Sequence, residues 1–308
     1  MVVAPLPKGL HSLETVHGAE YASPPRQGAV TLQLAPPQDW RGVLPANSLA
    51  GTLVVQEATG VSTGAVEDGA ETQAPTARRA GLAFDLFIPG GSAQEAWLCE
   101  GKDASKPAAV LRLGQWSDWL VRPVRTNGQT QEGSMRFKLL ALSPNNGHLR
   151  LVRSGVYPVR GFTWPEQLAE EIIQAAGPYM EHPALAGRED LDLWEQVIFE
   201  EMEYQVDWHA KVAEHLLHAR GWGLFYNHWH FPDNVLHYWL AKADPLSPIY
   251  NAEGATVARQ ILARTCQIAD RLIGGLMRCA DEDTLVIVVA DHGNTINQWR
   301  ANLGKRLK

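Results

Sequence analysis

Leu285-Val-Ile-Val-Val-Ala290 runs without a break into Asp291-His292-Gly293, and the reading of this stretch decides the fold. A continuous apolar run rich in Val and Ile, shorter than an ordinary helix, matches a strand buried on both faces of a mostly parallel sheet. A second run lies upstream, where Gly223-Leu-Phe-Tyr-Asn227 leads to Asp233 and His237. The sequence between them reads as a helix from about Asn251 to Cys279. Strand, helix and strand with a connection of this length predict a right-handed βαβ crossover and a parallel pair. Ligands of such sheets sit beyond the carboxyl ends of the strands, so both Asp/His pairs are expected at one sheet edge.

Asp233 and His237 are spaced i, i+4, which puts them on one face if the stretch beginning at Pro232 is helical; Pro232 suits a first turn. Asp291 and His292 are adjacent at the expected strand end. Carboxylate oxygen and imidazole nitrogen form the ligand set of zinc or, less selectively, manganese. Two such ions about 3.5–4 Å apart can clamp the attacking and leaving oxygens of a phosphoryl transfer. Plainer roles compete: Asp233 can cap a short helix after Pro232, and Asp291-His292 can be an exposed polar strand end. His228 and His230 are expected to make polar contacts or line a substrate pocket. His209, His215 and His218 are expected on the solvated face of a helix. Trp116 and Trp119 read as core rather than as a platform for a sugar or base.

The chain changes texture near Gly161. Before it, short alternating runs separated by Gly, Pro and Asn predict half-buried antiparallel strands: Val30–Leu34, Thr52–Gln56, Leu82–Ile88, Ala109–Leu113, Met135–Leu142 and Leu149–Val152. Ala58–Ala80 reads as a long surface loop, and Asn145-Asn146-Gly147 as a turn. After Gly161, helices are predicted from Thr163-Trp-Pro-Glu to Gly177-Pro178 and from Asp190 to Arg220. The expected division is a β-rich module over 1–160 and an α/β portion over 161–308.

The 308 residues carry a formal charge of -7 and show no basic stripe, which argues against binding a nucleic-acid duplex. The three cysteines, Cys99, Cys266 and Cys279, are too few and too scattered for a disulfide framework or a CxxC metal motif, and read as small buried hydrophobes. No apolar stretch is long enough for a membrane span, and the first residues do not form a signal peptide, so a cytoplasmic location is expected.

Pro232-Asp233-x-x-x-His237, Tyr238-Trp239-Leu-x-x-Ala-Asp244-Pro245-x-x-Pro248-x-Tyr250, Ala269-Asp270-Arg-Leu-Ile-Gly and Val288-Val-Ala-Asp291-His292-Gly293 resemble the type I phosphodiesterase/nucleotide pyrophosphatase branch of the alkaline phosphatase superfamily, particularly its phosphohydrolase/phosphomutase members. These motifs cover about 160–296; Gly114-Gln-Trp116-Ser-Asp-Trp119 and Phe137-Lys-Leu-Leu are weaker matches to an insertion such proteins carry. The resemblance implies part of an alkaline-phosphatase-like α/β sheet flanked by helices and preceded by that β-rich insertion. It also implies two divalent metal ions, zinc or alternatively manganese, and a small phosphorylated substrate. Asp233 and His237 match ligands of one ion, and Asp291 and His292 ligands of the other. The chain departs from the pattern at Leu236, where pyrophosphatase members often carry Gly. The family's early Asp, its Thr or Ser nucleophile and its late His have no equivalents here. The expectation is an internal fragment of a metal-dependent phosphodiester or phosphate-anhydride hydrolase, weak or inactive alone. A metal-binding or interaction module and a phosphomutase with the same ligands are the alternatives.

Overall fold

The computed structural model describes residues 2–3, 18–55, 81–126, 129–143, 145, 147–181, 183, 185, 190–219 and 221–296. The expected loop at Ala58–Ala80 lies outside the described residues. The protein is mixed α/β, and its contacts divide it into two compact units, Met1–Leu185 and Ala186–Lys308. Among the described residues, no helix is long and apolar enough to cross a membrane.

Strands dominate the first unit: β1 Val2–Val3, β2 Ala19–Ser23, β3 Val30–Thr31, β4 Leu49–Val55, β5 Leu82–Ile88, β6 Glu95–Cys99 and β7 Pro107–Arg112. They are followed by β8 Leu120–Thr126, β9 Gln129–Met135, β10 Phe137–Ser143, β11 His148–Arg153, β12 Tyr157–Pro158 and β13 Thr163–Trp164. β4 to β7 form an antiparallel meander in sequence order, while β10-β11-β2-β3, β12-β9-β8 and β1-β13 make three further sheets. Period-two burial works as the alternation predicts: Leu53 and Val55 are buried on β4 and Val54 between them is exposed. Phe84 on β5 meets Phe137 on β10 edge to face at 5.6 Å, and the Tyr21 hydroxyl on β2 donates to the Val54 carbonyl at 3.0 Å, which joins two sheets into one core.

A buried ion pair locks the central strands of one sheet. Arg150 Nε on β11 lies 3.0 Å from Glu20 Oε1 on β2, and Arg26 Nε reaches the same oxygen at 3.5 Å. The register pairs Arg150 with Ala22, so Glu20 is its diagonal neighbour across the strands. The Glu20 side chain is fully buried, so it requires these cations.

One helix closes this unit, α1 Leu168–Ala176, which ends at Gly177 with φ 92°. It starts later than its sequence predicts because Thr163 and Trp164 pair with β1 and the Thr163 hydroxyl donates to the Pro165 carbonyl, 2.9 Å away. β10 and β11 pair antiparallel through Ser143 and His148, with Gly147 at φ 66°, and Asn146 of the expected turn lies outside the described residues.

The described residues of the second unit form helices joined by coil. Asp190 caps α2 Leu191–Leu193 by accepting from Asp192 N at 3.1 Å, and the rod continues through a π-helical turn, Trp194–Ile198, into α3 Phe199–Ala219. α4 spans Phe231–Ala243, and α5 spans Ala252–Met277 behind an Asn251 cap that accepts from Gly254 N at 2.7 Å. α5 packs on both α3 and α4. On α3, Asp207 receives a two-pronged bond from Arg271, whose Nε stands 2.8 Å from Oδ1, and Glu203 pairs with Arg264. Gly275 lets the two helices approach, because a Cβ there would stand 2.8 Å from Ala210 Cβ.

The expected βαβ crossover is absent among the described residues. Residues 223–227 and 285–290 form neither helix nor strand, and Leu224, Tyr226, Leu285, Ile287, Val288 and Val289 are strongly exposed. A parallel strand needs neighbours on both edges and cover on both faces. No strand of residues 190–296 supplies them. The upstream segment is held to α3 instead: Trp229 Nε1 donates to Gln205 Oε1 at 2.7 Å, and His209 Nδ1 lies 2.8 Å from the Asn227 carboxamide oxygen. His209 is therefore inside a contact rather than on a solvated face. Burial holds its imidazole below the ordinary value of 6.5, a shift opposed by the Asn227 hydrogen bond and aided by His228. The cysteines also divide: Cys99 is buried, its thiol pushed up to about 11 by burial, whereas Cys266 is exposed and Cys279 is half-buried.

Glu20→Ala should destabilise the first unit by about 3–5 kcal/mol by stranding Arg150, read as a lower urea midpoint. Gly275→Leu should cost the second unit roughly 1–3 kcal/mol by overpacking the α3–α5 seam, whereas Gly274→Leu, with open space beside it, should not show that penalty. For His209 the folded state favours the neutral ring, so its stabilising share is present above about pH 6.5 and is lost as pH falls through the depressed folded value. The gap in urea midpoint between wild type and His209→Gln should therefore narrow from pH 7 to pH 5; a constant gap would refute the linkage.

Candidate metal centre

Pro232 in the first turn sets the start of α4, with Asp233 as the acidic residue of that turn. Phe231, Val235 and Trp239 recur every four residues and are buried, so the opposite side of the helix carries His230, Asp233 and His237. Trp239 meets the fully buried Trp194 edge to face at 5.6 Å, and this fixes the rotation of the helix about its axis.

On that outward side, His237 Nε2 stands 3.1 Å from Asp233 Oδ2, as the i, i+4 spacing predicts. His230 Nε2 approaches the same oxygen at 3.5 Å. The carboxylate is 19% exposed, whereas the two imidazoles are roughly half exposed, at 46% and 49%. Asp233 Oδ1 is buried without a hydrogen-bond partner. Asp233 therefore does not act as the cap weighed from the sequence: His230 occupies the cap position and makes no side-chain capping bond. His228 stands beside His230, with ring centroids 5.7 Å apart.

Asp291 and His292 lie in exposed coil and contact each other. His292 Nε2 is 3.6 Å from Asp291 Oδ2, and the His292 backbone N–H donates to Asp291 Oδ1 at 3.0 Å. His292 Nδ1 is 3.1 Å from the Gly293 carbonyl. Each predicted pair is thus assembled within itself. Among the described residues, no three His, Cys, Asp or Glu side chains are already gathered around one point for a cation.

Sequence reasoning set His230 aside. The signal for it was present in the i, i+3, i+7 spacing of His230, Asp233 and His237, which places all three on one side of a helix that begins at Phe231. The tryptophans of the Trp116-Ser-Asp-Trp119 stretch are engaged with Arg136, whose guanidinium carbon lies 4.3 Å from the Trp116 ring centre and 5.0 Å from that of Trp119. That arrangement is a cation–π stack inside the β-rich unit.

No family model, curated protein or solved structure matches the chain.

Proposed function

We propose that the chain supplies metal-ligating residues to a metal-dependent hydrolase of phosphodiester or phosphate-anhydride bonds, of the nucleotide pyrophosphatase/phosphodiesterase type within the alkaline phosphatase superfamily. The observation that carries this reading is the Asp233–His237 pair, 3.1 Å apart on the outward side of α4. Its donors, one carboxylate and one imidazole, suit zinc or manganese, and the buried unpartnered Asp233 Oδ1 offers a second oxygen to a cation. Asp233 and His237 would hold one ion, and Asp291 and His292 would serve a second. Bound there, the ions supply Lewis-acid stabilisation of charge on a phosphoryl group. The work of this chain's own residues is to orient those donors: Phe231, Val235 and Trp239 anchor the helix, and the Trp229–Gln205 hydrogen bond holds the segment leading into it. The attacking hydroxyl is not among the residues that the resemblance matches. A small phosphorylated substrate and a cytoplasmic location belong to the same reading, as does the alkaline-phosphatase-like arrangement of the apolar runs.

A second reading, a metal-binding module without turnover, is favoured by the exposure of Asp291 and His292, whose side chains are 75% and 54% exposed and engage only local groups. Zinc calorimetry coupled to hydrolysis of bis(p-nitrophenyl) phosphate separates the two. Zinc should bind the wild type, Asp233→Asn and His237→Ala should abolish one binding event, and Asp291→Asn should abolish the other. Zinc binding with slow zinc-dependent hydrolysis supports the hydrolase; binding with no turnover favours the module, and no binding defeats both.

A further inference from the structure

We propose that residues 222–230 form a strap that is fastened to α3 at neutral pH and released from it in mild acid, when His209 takes up a second ring proton. Two hydrogen bonds of matched spacing fasten it. Gln205 and His209 are i, i+4 on α3 and share one face, about 6 Å apart along the helix axis. Their partners, Trp229 and Asn227, are two residues apart, a step of about 6.6 Å in a stretched chain. Trp229 Nε1 donates to Gln205 Oε1 at 2.7 Å, and His209, with its proton on Nδ1, donates to the Asn227 carboxamide oxygen at 2.8 Å. Burial alternates to match: Phe225, Asn227 and Trp229 are half-buried, whereas Leu224, Tyr226, His228 and His230 are exposed. Among the described residues, no backbone–backbone hydrogen bond holds 222–229, so these side chains are the fastening.

Neutral His209 makes its contact with one ring proton. A second proton, on Nε2, charges a ring that burial deprives of water, and it places that charge near His228 on the strap. The Asn227 hydrogen bond opposes both effects without overcoming them, so the docked ring titrates below the ordinary 6.5. The other charged groups nearby are turned away from it. Asp207, Lys211, Glu214 and His218 of α3 surround a cleft with Arg278 on the α5 side, roughly 140–200° around the helix from His209. Glu203 and Asp207 pair there with Arg264 and Arg271. On its own side the ring has Trp208, edge to face at 5.6 Å. Releasing the strap returns His209 to water and to its ordinary value. The balance therefore tips toward release as pH falls from about 6.5 through the depressed value. α4 begins at Phe231, the residue after the strap, so release slackens the approach to the helix that carries Asp233 and His237.

The test follows two NMR signals of the full chain from about pH 7.5 to about pH 4.5: the His209 ring, assigned with His209→Gln, and the Trp229 indole N–H, assigned with Trp229→Phe. Both should change together with a midpoint below 6.5, while the indole signal of the buried Trp194 and the far-UV circular dichroism stay constant. His228→Gln should move that midpoint upward by removing the like charge. His209→Gln should hold the Trp229 signal at its docked position throughout the range. The proposal is overturned if His209 titrates while Trp229 does not, if the Trp229 step survives in His209→Gln, or if the Trp194 signal is lost along with it. Should His209→Gln fail to fold, the joint titration in the wild type and the upward shift in His228→Gln decide the question, and separate midpoints or an unmoved midpoint overturn it.

Discussion

The edge-to-face contact of Trp194 with Trp239, 5.6 Å between centroids, is the interaction on which the candidate site depends. Trp194 opens the π-helical turn and is wholly buried; it also meets Phe199 at 5.6 Å. Trp239 lies two residues beyond His237 on the same helix. A helix turns by 100° per residue, so fixing one side chain in an aromatic core fixes the direction of the rest. With Phe231, Val235 and Trp239 turned inward, His230, Asp233 and His237 have one direction left to face. The Lys242 ammonium, 4.7 Å from the Trp239 ring centre, covers the same indole. The geometry of the Asp233–His237 pair is therefore a consequence of packing on the other side of the helix.

A second constraint explains why the two units differ. In the first, nearly every apolar strand finds neighbours and faces: β5 lies between β4 and β6, and β11 lies between β10 and β2. In the second, among the described residues, α3, α4 and α5 satisfy one another and offer no strand edge. Leu285–Val289 has the composition of a buried strand but is 44–83% exposed, because burial of a strand requires hydrogen-bonding partners as well as apolar cover. Acidic residues flank the run, with Asp281, Glu282 and Asp283 before it and Asp291 after it, and such charge at its ends opposes indiscriminate strand pairing.

These constraints also decide what was legible in the sequence. Leu82–Ile88 and Leu149–Val152 are strands, as their short apolar runs predict, and the caps Asp190 and Asn251 mark helix starts. Local chemistry sets such features. Gln129–Met135 is a strand with scarcely an apolar residue, held by its pairing with β8, so no periodicity announces it. The apolar runs at 223–227 and 285–290 misled in the opposite direction: their composition states a preference for burial in a sheet, but composition cannot supply the neighbouring strand. Within the site, the i, i+4 contact of Asp233 with His237 follows from helix geometry once Pro232 is read as a first-turn residue. The approach of His230 to Asp233 is less legible, because it requires the residue before the first helical turn to hold helical backbone angles already, as His230 does at φ -80° and ψ -17°.

The competition between capping and metal binding at Asp233 is then a question of which atoms are satisfied. A carboxylate that caps a helix accepts backbone N–H groups, and a buried oxygen left without a partner costs about 1–3 kcal/mol. Asp233 Oδ1 is such an oxygen, and Trp239 Nε1 on the same helix is also buried without a partner. α4 thus carries polar groups whose placement does not serve its own stability. The outward side of the helix gathers two imidazole nitrogens around the other Asp233 oxygen. The exposed imidazoles and the carboxylate between them are therefore positioned by the packing of Phe231, Val235 and Trp239 on the other side of the helix, and not by a side-chain cap from His230.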